Sequence, residues 1–241
     1  MKTINTLKKV SLATFLTFVL SFSSVFAQND TMYIMKSGAI VGQYNVNTEV
    51  DSVIFYKPTI EETTSGTFID SRDGNEYNWV QIGDQVWMAE NLAYEPSSGN
   101  YWAYDNNNSN VETYGYLYDW ETACDVCPAG WHLPSDAEWT ELTDYLGGTT
   151  GAGGKLKETG TTHWASPNTG ATNETGFTAL PGGIRSYFGT FDLIGFNGFW
   201  WSATEDSTSN AWSRFLYYDL SGVGRNYGDK DSGFSVRCLR D

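Results

Sequence analysis

The chain has 241 residues and carries 29 acidic residues against 14 basic ones, a formal net charge of −15 at pH 7. An acidic excess with no basic patch argues against nucleic acid and anionic lipid as partners, because both would be repelled. The length suits one domain of ordinary size with a small additional unit.

Residues 1 to 27 have the pattern of a secretory signal peptide. Lys2, Lys8 and Lys9 precede an apolar run at residues 10 to 20, and Val25-Phe26-Ala27 is a cleavage pattern. The run is too short and too rich in hydroxyl groups for a stable membrane span, and no later run is long enough. No cysteine lies near the cleavage pattern, so a lipid anchor is not expected. We therefore expect an exported protein that is secreted, periplasmic or on the cell surface, with no membrane span in the mature chain.

A small three-stranded β unit is predicted over residues 28 to 57. Its strands fall at residues 32 to 35, 39 to 44 and 52 to 56, separated by turn-forming residues. Three strands of this length bury little surface, so we expect the unit to rest on the main domain or on a partner. Residues 58 to 66 are rich in Glu, Thr and Gly and are predicted to be a linker.

The main domain is predicted to span residues 67 to 241. Asp73-Gly74 and Gly83-Asp84 are turn signals on either side of a strand at residues 77 to 82, and a further strand follows at 85 to 88. Residues 116 to 123 place aromatic and apolar side chains at helical spacing, which predicts a short helix. Residues 153 to 159 are a weaker candidate for another.

The best helix signal begins at Ser135, which forms a capping box with Glu138. Trp139, Leu142 and Leu146 then define one apolar face, and two glycines end the helix. Later strands are predicted near residues 199 to 202, 211 to 218 and 233 to 239. All ten tryptophans lie between residues 79 and 212, so we expect a loop-rich α+β domain with short antiparallel sheets, about two helices and an aromatic core.

Six motifs occur in order along the domain, at residues 81–92, 114–120, 127–139, 176–183, 200–205 and 233–241. Together they resemble the Fibrobacter succinogenes major paralogous domain family, and the likeness covers about residues 67 to 241. That family is similar to the C-type-lectin-like and formylglycine-generating-enzyme superfamily. The resemblance implies a loop-rich C-type-lectin-like fold with its chain ends close together. It also implies a secreted or surface protein of a Bacteroidetes-like bacterium, and it leaves the activity open.

Three cysteines have to be assigned. Cys124 and Cys127 form a Cys-x-x-Cys, but a second pair and a thioredoxin-like context are both missing, and the chain is predicted to be exported. We favour a disulfide between Cys127 and Cys238, which would join the two ends of the domain. Cys124 is then the odd thiol, and it is either buried or competes for Cys238.

The two histidines and the paired carboxylates give no strong catalytic signal. His132 and His163 are not in a metal-binding spacing, and we expect His132 to be a packed, hydrogen-bonded core residue and His163 to be exposed. Glu138 is already explained by the capping box, so Asp136 and Glu138 are not assigned as a glycosidase pair. We expect no enzyme activity, since no nucleophile has a matched base.

The run that contains Asp105, Asn106 and Asn108 could offer oxygen ligands to calcium. It lacks the residue order of a calcium loop and its closing glutamate, so we expect an Asn-rich turn and no metal or cofactor.

Aromatic residues and arginines cluster late in the chain. Residues 184 to 200 lack strand periodicity and are predicted to be a long loop that forms a ligand groove, whereas Trp200 and Trp212 are expected in the core. Aromatic rings stack on sugars or apolar side chains, and Arg offers a directional fork. The candidate ligand-binding residues are Arg185, Tyr187, Phe188, Phe191, Trp201 and Arg214.

The sequence therefore predicts a binding or adhesion module whose ligand is an extracellular glycan or a surface protein. The alternatives are a structural surface component and a diverged formylglycine-generating-type oxidase. The resemblance implies that such an oxidase uses two redox-active cysteines near its groove, whereas the only late cysteine here is Cys238.

Overall fold

The computed structural model of the protein describes residues 31–36, 39–45 and 64–241. The chain divides into two compact units, Met1–Glu61 and Glu62–Asp241. The predicted signal peptide, the third strand of the predicted β unit and most of the predicted linker lie outside the described residues. The first strand of the second unit begins at Ser65, two residues before the predicted start of the main domain.

The described part of the first unit is an antiparallel hairpin of strands β1 (Thr31–Lys36) and β2 (Ala39–Asn45). Both strands occur where the sequence predicts them. The register pairs Thr31 with Asn45 and shifts by one residue between Ile34 and Met35.

The second unit is an α+β fold of short, mostly antiparallel strands and, among the described residues, four short helices. Its strands are β3 (Ser65–Ile69), β4 (Glu76–Ile82), β5 (Gln85–Met88), β6 (Tyr101–Trp102), β7 (Leu117–Tyr118), β8 (Trp131–His132), β9 (Gly182–Arg185), β10 (Phe191–Ile194), β11 (Asn197–Glu205), β12 (Asn210–Tyr217), β13 (Gly224–Asp229), β14 (Phe234–Ser235) and β15 (Leu239–Arg240). Its helices are α1 (Val111–Tyr114), α2 (Trp120–Asp125), α3 (Asp136–Tyr145) and α4 (Ala152–Leu156).

Two sheets organise this unit. The first has the strand order β3-β4-β5-β15-β8. The first and last strands of the unit, β3 and β15, therefore lie in one sheet, which agrees with the close chain ends that the resemblance implies. The second has the order β10-β9-β11-β14-β7-β6, with β12 and β13 added beside β11. Strand β11 is central to the second sheet, because it pairs antiparallel with β12 and parallel with both β9 and β14.

The core is aromatic, in agreement with the composition. Five tryptophans are almost fully buried, and each indole N–H donates to an acceptor, as buried tryptophans require. Trp139 donates to the carbonyl of Trp201 and Trp201 to the carbonyl of Tyr118. The five buried tryptophans are Trp87, Trp139, Trp164, Trp200 and Trp201.

Helix α3 forms as its sequence predicts. The Ser135 hydroxyl accepts from the backbone N–H of Glu138, and the Glu138 carboxylate accepts from the backbone N–H of Ser135. Trp139 and Leu142 are buried on the face that packs into the core, and Gly147 has the positive φ of a helix end.

The helix predicted at residues 116 to 123 is only half correct. Leu117 and Tyr118 form β7, which pairs with β6 and β14, so sheet pairing overrides the helical spacing of the aromatic residues. The helix begins at Trp120, because the Asp119 side chain caps it by accepting from the backbone N–H of Thr122. The described residues thus hold four helices where about two were expected. The two extra ones, α1 and α4, have four and five residues, and α4 overlaps the weaker candidate at residues 153 to 159.

The predicted disulfide joins Cys127 to Cys238, with the two Cα atoms 6.0 Å apart. It closes a loop of 111 residues. Cys238 is fully buried, whereas Cys124 is half-buried and is the free thiol.

Replacing both bonded cysteines, Cys127→Ser with Cys238→Ser, should lower the free energy of unfolding by about 4–5 kcal/mol, since the unfolded chain regains the entropy of a long open loop. Denaturant titration measures this loss. Cys124→Ser is the matched control, and it should leave the unfolding midpoint close to that of the wild type. A control that fell as far as the double variant would contradict the assignment.

Trp139→Ala should lower the free energy of unfolding by about 3–5 kcal/mol, because it leaves a cavity among Trp87 and Phe177. Ser135→Ala should cost about 1 kcal/mol, because it removes only the helix cap. Glu141→Ala, at an exposed position of the same helix, is the control for both. Equal losses for Trp139→Ala and Ser135→Ala in thermal and denaturant unfolding would refute this account of the helix.

Candidate functional site

The sequence predicted a long loop at residues 184 to 200, but the structure has a β-hairpin there. Strands β9 and β10 pair antiparallel, with Arg185 opposite Phe191, and residues 186 to 190 form the turn. The hairpin needs glycine at position 183, where φ is +68° and a Cβ atom would lie 2.5 Å from the carbonyl oxygen of Asp192. The glycines that make this tight hairpin are also what hides strand periodicity in the sequence.

Two aromatic side chains extend from the turn. Tyr187 is 53% exposed and Phe188 is 77% exposed, and their ring centroids lie 3.9 Å apart. We call this pair the aromatic tip. Large apolar side chains that touch each other at the end of a hairpin are a candidate contact surface.

Arg185 supports the tip from below. Its guanidinium lies 3.9 Å from the ring centroid of Trp102, a cation–π contact. Its backbone exchanges two hydrogen bonds with Gly233, at 2.9 and 2.7 Å. Gly189 fits above it, since a Cβ atom there would lie 3.1 Å from a guanidinium nitrogen. Arg185 is therefore a brace of the hairpin.

The structure separates the remaining predicted ligand residues. Phe191 is half-buried against Tyr104, with ring centroids 5.4 Å apart, beside the tip. Trp201 and Arg214 do not belong to a ligand surface, because Trp201 is fully buried and only 3% of Arg214 is exposed.

Arg214 forms a buried ion pair instead of a ligand contact. Its guanidinium donates to the carboxylate of Asp136 at the start of α3, and the same carboxylate accepts from the exposed Arg225. Burial opposes the ionised form of Asp136, but hydrogen bonds from the two arginines outweigh it and lower its pKa. Trp200 is in the core as expected, whereas Trp212 is only half-buried under the Arg225 guanidinium, so its core prediction is wrong.

His132 lies between two carboxylates. Its Nδ1 is 2.7 Å from Asp241 and its Nε2 is 3.0 Å from Glu138. The ring is hydrogen-bonded as predicted, but 38% of the side chain is exposed, so it is not a core residue. Partial burial opposes its charge, but the bonds to Asp241 and Glu138 outweigh that effect and raise the pKa of His132. Burial opposes the charge of Glu138, but hydrogen bonds from Ser135 and then from His132 outweigh it and lower the pKa of Glu138.

His163 and Cys124 are both partly buried. His163 was expected to be exposed, but it is half-buried and its Nδ1 lies 2.9 Å from the carboxylate of Glu158. Burial and the neighbouring Asp125 raise the pKa of the Cys124 thiol to about 11, which keeps it protonated at neutral pH.

The Asn-rich run forms two short 3₁₀ turns at Tyr104–Asn106 and Asn108–Asn110. Asp105 and Asn106 have positive φ, and the Asn107 side chain accepts from the backbone of Ser109. Within the described residues, no group of three or more His, Cys, Asp and Glu side chains is arranged to hold a metal ion.

The sequence did not indicate a cleft of about 370 Å³ on another part of the domain. We call it the polar cleft. It is lined by Ala93 and by six larger residues, which are Arg72, Asp73, Asn75, Tyr94, Glu95 and Tyr116. In the sequence the Asp73-Gly74-Asn75 turn is only a hairpin signal. The lining of the cleft comes from three separate segments of the chain, so it leaves no local motif.

Residues 80–240 match a family model described as the Fibrobacter succinogenes major domain. The chain belongs to this family. The match includes both members of the disulfide, all of α3 and the hairpin that carries the aromatic tip, and it begins after the Asp73 turn. Comparison with curated proteins and with solved structures found no match. No helix in the described part of the chain is long and apolar enough to cross a membrane.

The His132 contacts predict a pH-dependent stability. A raised folded pKa means that the charged ring stabilises the fold fully below its unfolded pKa of about 6.5, and that this contribution is lost as pH rises through the folded pKa. The free energy of unfolding should therefore fall over that window. His132→Gln should remove this fall and Asp241→Asn should reduce it, as measured by denaturant titrations at several pH values. An unchanged slope in His132→Gln would rule the contribution out.

Proposed function

We propose that the protein is an exported binding module that docks onto another protein through the aromatic tip. The observation that carries the proposal is the exposure of Tyr187 and Phe188, in contact with each other, at the end of a braced hairpin. Exposed aromatic side chains that enter a partner's pocket contribute strongly to protein interfaces. The brace supports this role because a fixed hairpin loses little entropy on binding.

Polar chemistry at the turn favours a protein over a glycan at this surface. The hydroxyls of Ser186 and Thr190 bond to each other at 2.8 Å, and the Arg185 guanidinium is held against Trp102. Sugar recognition requires polar groups that can bond to ring hydroxyls, and the turn offers few. An apolar pocket on a surface protein is the complementary partner.

Export is supported by two independent features. The first 27 residues have the pattern of a cleaved leader, and the Cys127–Cys238 bond is of a kind that persists in oxidising compartments. We further propose a C-type-lectin-like topology, which is supported by family membership and by the presence of the first and last strands of the unit in one sheet.

The rival proposals are less well supported. An oxidase of the formylglycine-generating type would need two redox-active thiols, but Cys238 is buried in a disulfide and the pKa of Cys124 is raised to about 11. A purely structural surface component gives no reason for a braced, exposed aromatic pair. A thiol-dependent oxygen-consumption assay tests the first rival.

Tyr187→Ser with Phe188→Ser should weaken binding to the protein partner by at least about tenfold, since the loss of an aromatic anchor typically costs about 2 kcal/mol or more. Surface plasmon resonance against a panel of purified extracellular proteins, run beside a glycan array, measures this. Tyr227→Ser, at an aromatic residue that is 55% exposed on β13, is the matched control and should bind normally.

The unfolding midpoint separates binding from folding in this experiment. It should stay within a few degrees in the tip variant, because both rings are exposed. Arg185→Ala should lower it, because the contact with Trp102 is lost. Normal binding of the protein partner by the tip variant would refute the proposal. If the wild type bound a glycan on the array and the tip variant did not, the ligand of the aromatic tip would be a sugar and not a protein.

A further inference from the structure

We infer that the polar cleft is a second binding site, separate from the aromatic tip, that holds one sugar residue of an uncharged glycan. Its volume of about 370 Å³ falls within the range of small-molecule sites, roughly 300–1,000 Å³. The inference concerns different residues from those of the proposed docking surface, so either can fail without the other.

The floor of the cleft is a fixed arginine. The Arg72 guanidinium lies 3.7 Å from the ring centroid of Tyr94 and pairs with the buried carboxylate of Asp70 through Nε and Nη2. Its Nη1 donates to the backbone carbonyls of Val126 and, at 3.5 Å, Cys127. The side chain is thus positioned from three directions, and its charge is compensated by Asp70.

The first wall is the turn that follows Arg72. The two carboxylate oxygens of Asp73 accept from the backbone N–H and the side-chain amide of Asn75, at 2.9 and 2.8 Å. Each carboxylate oxygen can accept a further hydrogen bond, because it has two lone pairs. The turn therefore presents an oriented, exposed acceptor group to the cleft.

The second wall is Glu95 with Tyr116. The buried Tyr116 hydroxyl donates to Oε1 of Glu95 and fixes the carboxylate. Oε2 of Glu95 has no hydrogen-bond partner among the described residues. Burial and the bond to Glu95 both raise the pKa of Tyr116, so its hydroxyl remains a donor to the carboxylate at physiological pH.

The net charge of the cleft and its hydrogen-bond acceptors restrict the charge and the hydrogen-bond donors of a ligand that could bind there. Asp73 and Glu95 leave the cleft net negative, because Arg72 is already paired with Asp70, so phosphates and acidic sugars are repelled. Acceptors outnumber donors that are not already bonded, so the ligand must be rich in donors. Neighbouring hydroxyls of a neutral sugar meet this requirement on both walls, and carboxylates bind such hydroxyls through strong charge-assisted hydrogen bonds.

Nuclear magnetic resonance titration of the full mature chain tests this assignment. The probes are methyl glucoside, methyl galactoside, methyl mannoside and N-acetylglucosamine, with glucose 6-phosphate as the anionic counter-probe and glucosamine as the cationic one. At least one neutral probe should shift the Asn75 side-chain amide saturably, with an affinity that barely changes with added salt, because an uncharged ligand is not screened. Glucose 6-phosphate should leave the signal in place.

Two variants link the shift to the cleft. Glu95→Ala and Asp73→Asn should each weaken the neutral probe by at least about tenfold, as expected when a hydrogen bond to a charged acceptor is lost. Glu141→Gln is the matched control at an exposed position on α3 and should bind normally. Asp73 is exposed, so Asp73→Asn should keep the wild-type unfolding midpoint. Glu95→Ala should lower the midpoint slightly, because the buried Tyr116 hydroxyl loses its acceptor, and the same spectra verify that both variants are folded.

Three results would overturn the inference. No saturable shift with any neutral probe would exclude a sugar site. Binding of glucosamine alone, weakened by salt, would make the cleft a cation site. Shifts confined to the Tyr187 and Phe188 signals would assign sugar binding to the aromatic tip and not to the cleft.

Discussion

The second unit depends on one buried polar contact, between Asn91 and Arg237. Asn91 Oδ1 accepts from Arg237 Nη2 and from the indole of Trp200, both at 2.9 Å, while its Nδ2 donates to the carbonyl of Tyr114. One amide therefore joins the segment after β5, the end of α1, the central strand β11 and the segment between β14 and β15. A buried polar group without a hydrogen-bond partner would destabilise the fold, so these elements must all be in their native positions for each group to be satisfied.

Buried cations also donate hydrogen bonds to buried backbone carbonyls in this loop-rich fold. Lys157 is fully buried and donates to the carbonyls of Thr169, Tyr217 and Leu220, while Arg237 donates to the carbonyls of Phe177 and Thr178. Most of these carbonyls lie outside regular ladders, where buried acceptors need another donor. Burial lowers the pKa of Lys157 to about 8, the energetic cost of using a cation for this purpose. With Arg214, three of the 14 basic residues of the chain are thus buried in this unit.

The sequence predicted interactions between residues that are close in the chain, but it did not predict those between residues that are far apart. The capping box of α3 and the β4–β5 hairpin depend on residues that are near neighbours in the chain, so their patterns predicted them correctly. Arg214 was misassigned because its partner, Asp136, is 78 residues away, and a buried arginine looks the same in sequence as a ligand-binding one. The hairpin at the candidate site was missed for a different reason, because its glycines remove the alternation that marks a strand.

The two candidate surfaces have opposite chemistry but share one support. In β6, the Tyr101 ring lies 5.1 Å from that of Tyr116 in the wall of the polar cleft, whereas Trp102 carries the guanidinium of Arg185 beneath the aromatic tip. Neighbouring residues of a strand point to opposite faces, so one two-residue strand braces both surfaces without placing them on the same face. An apolar, braced projection suits a protein pocket, and an acceptor-rich depression suits hydroxyls. The two proposals are therefore compatible, because the proposed protein partner and the proposed sugar would contact different residues.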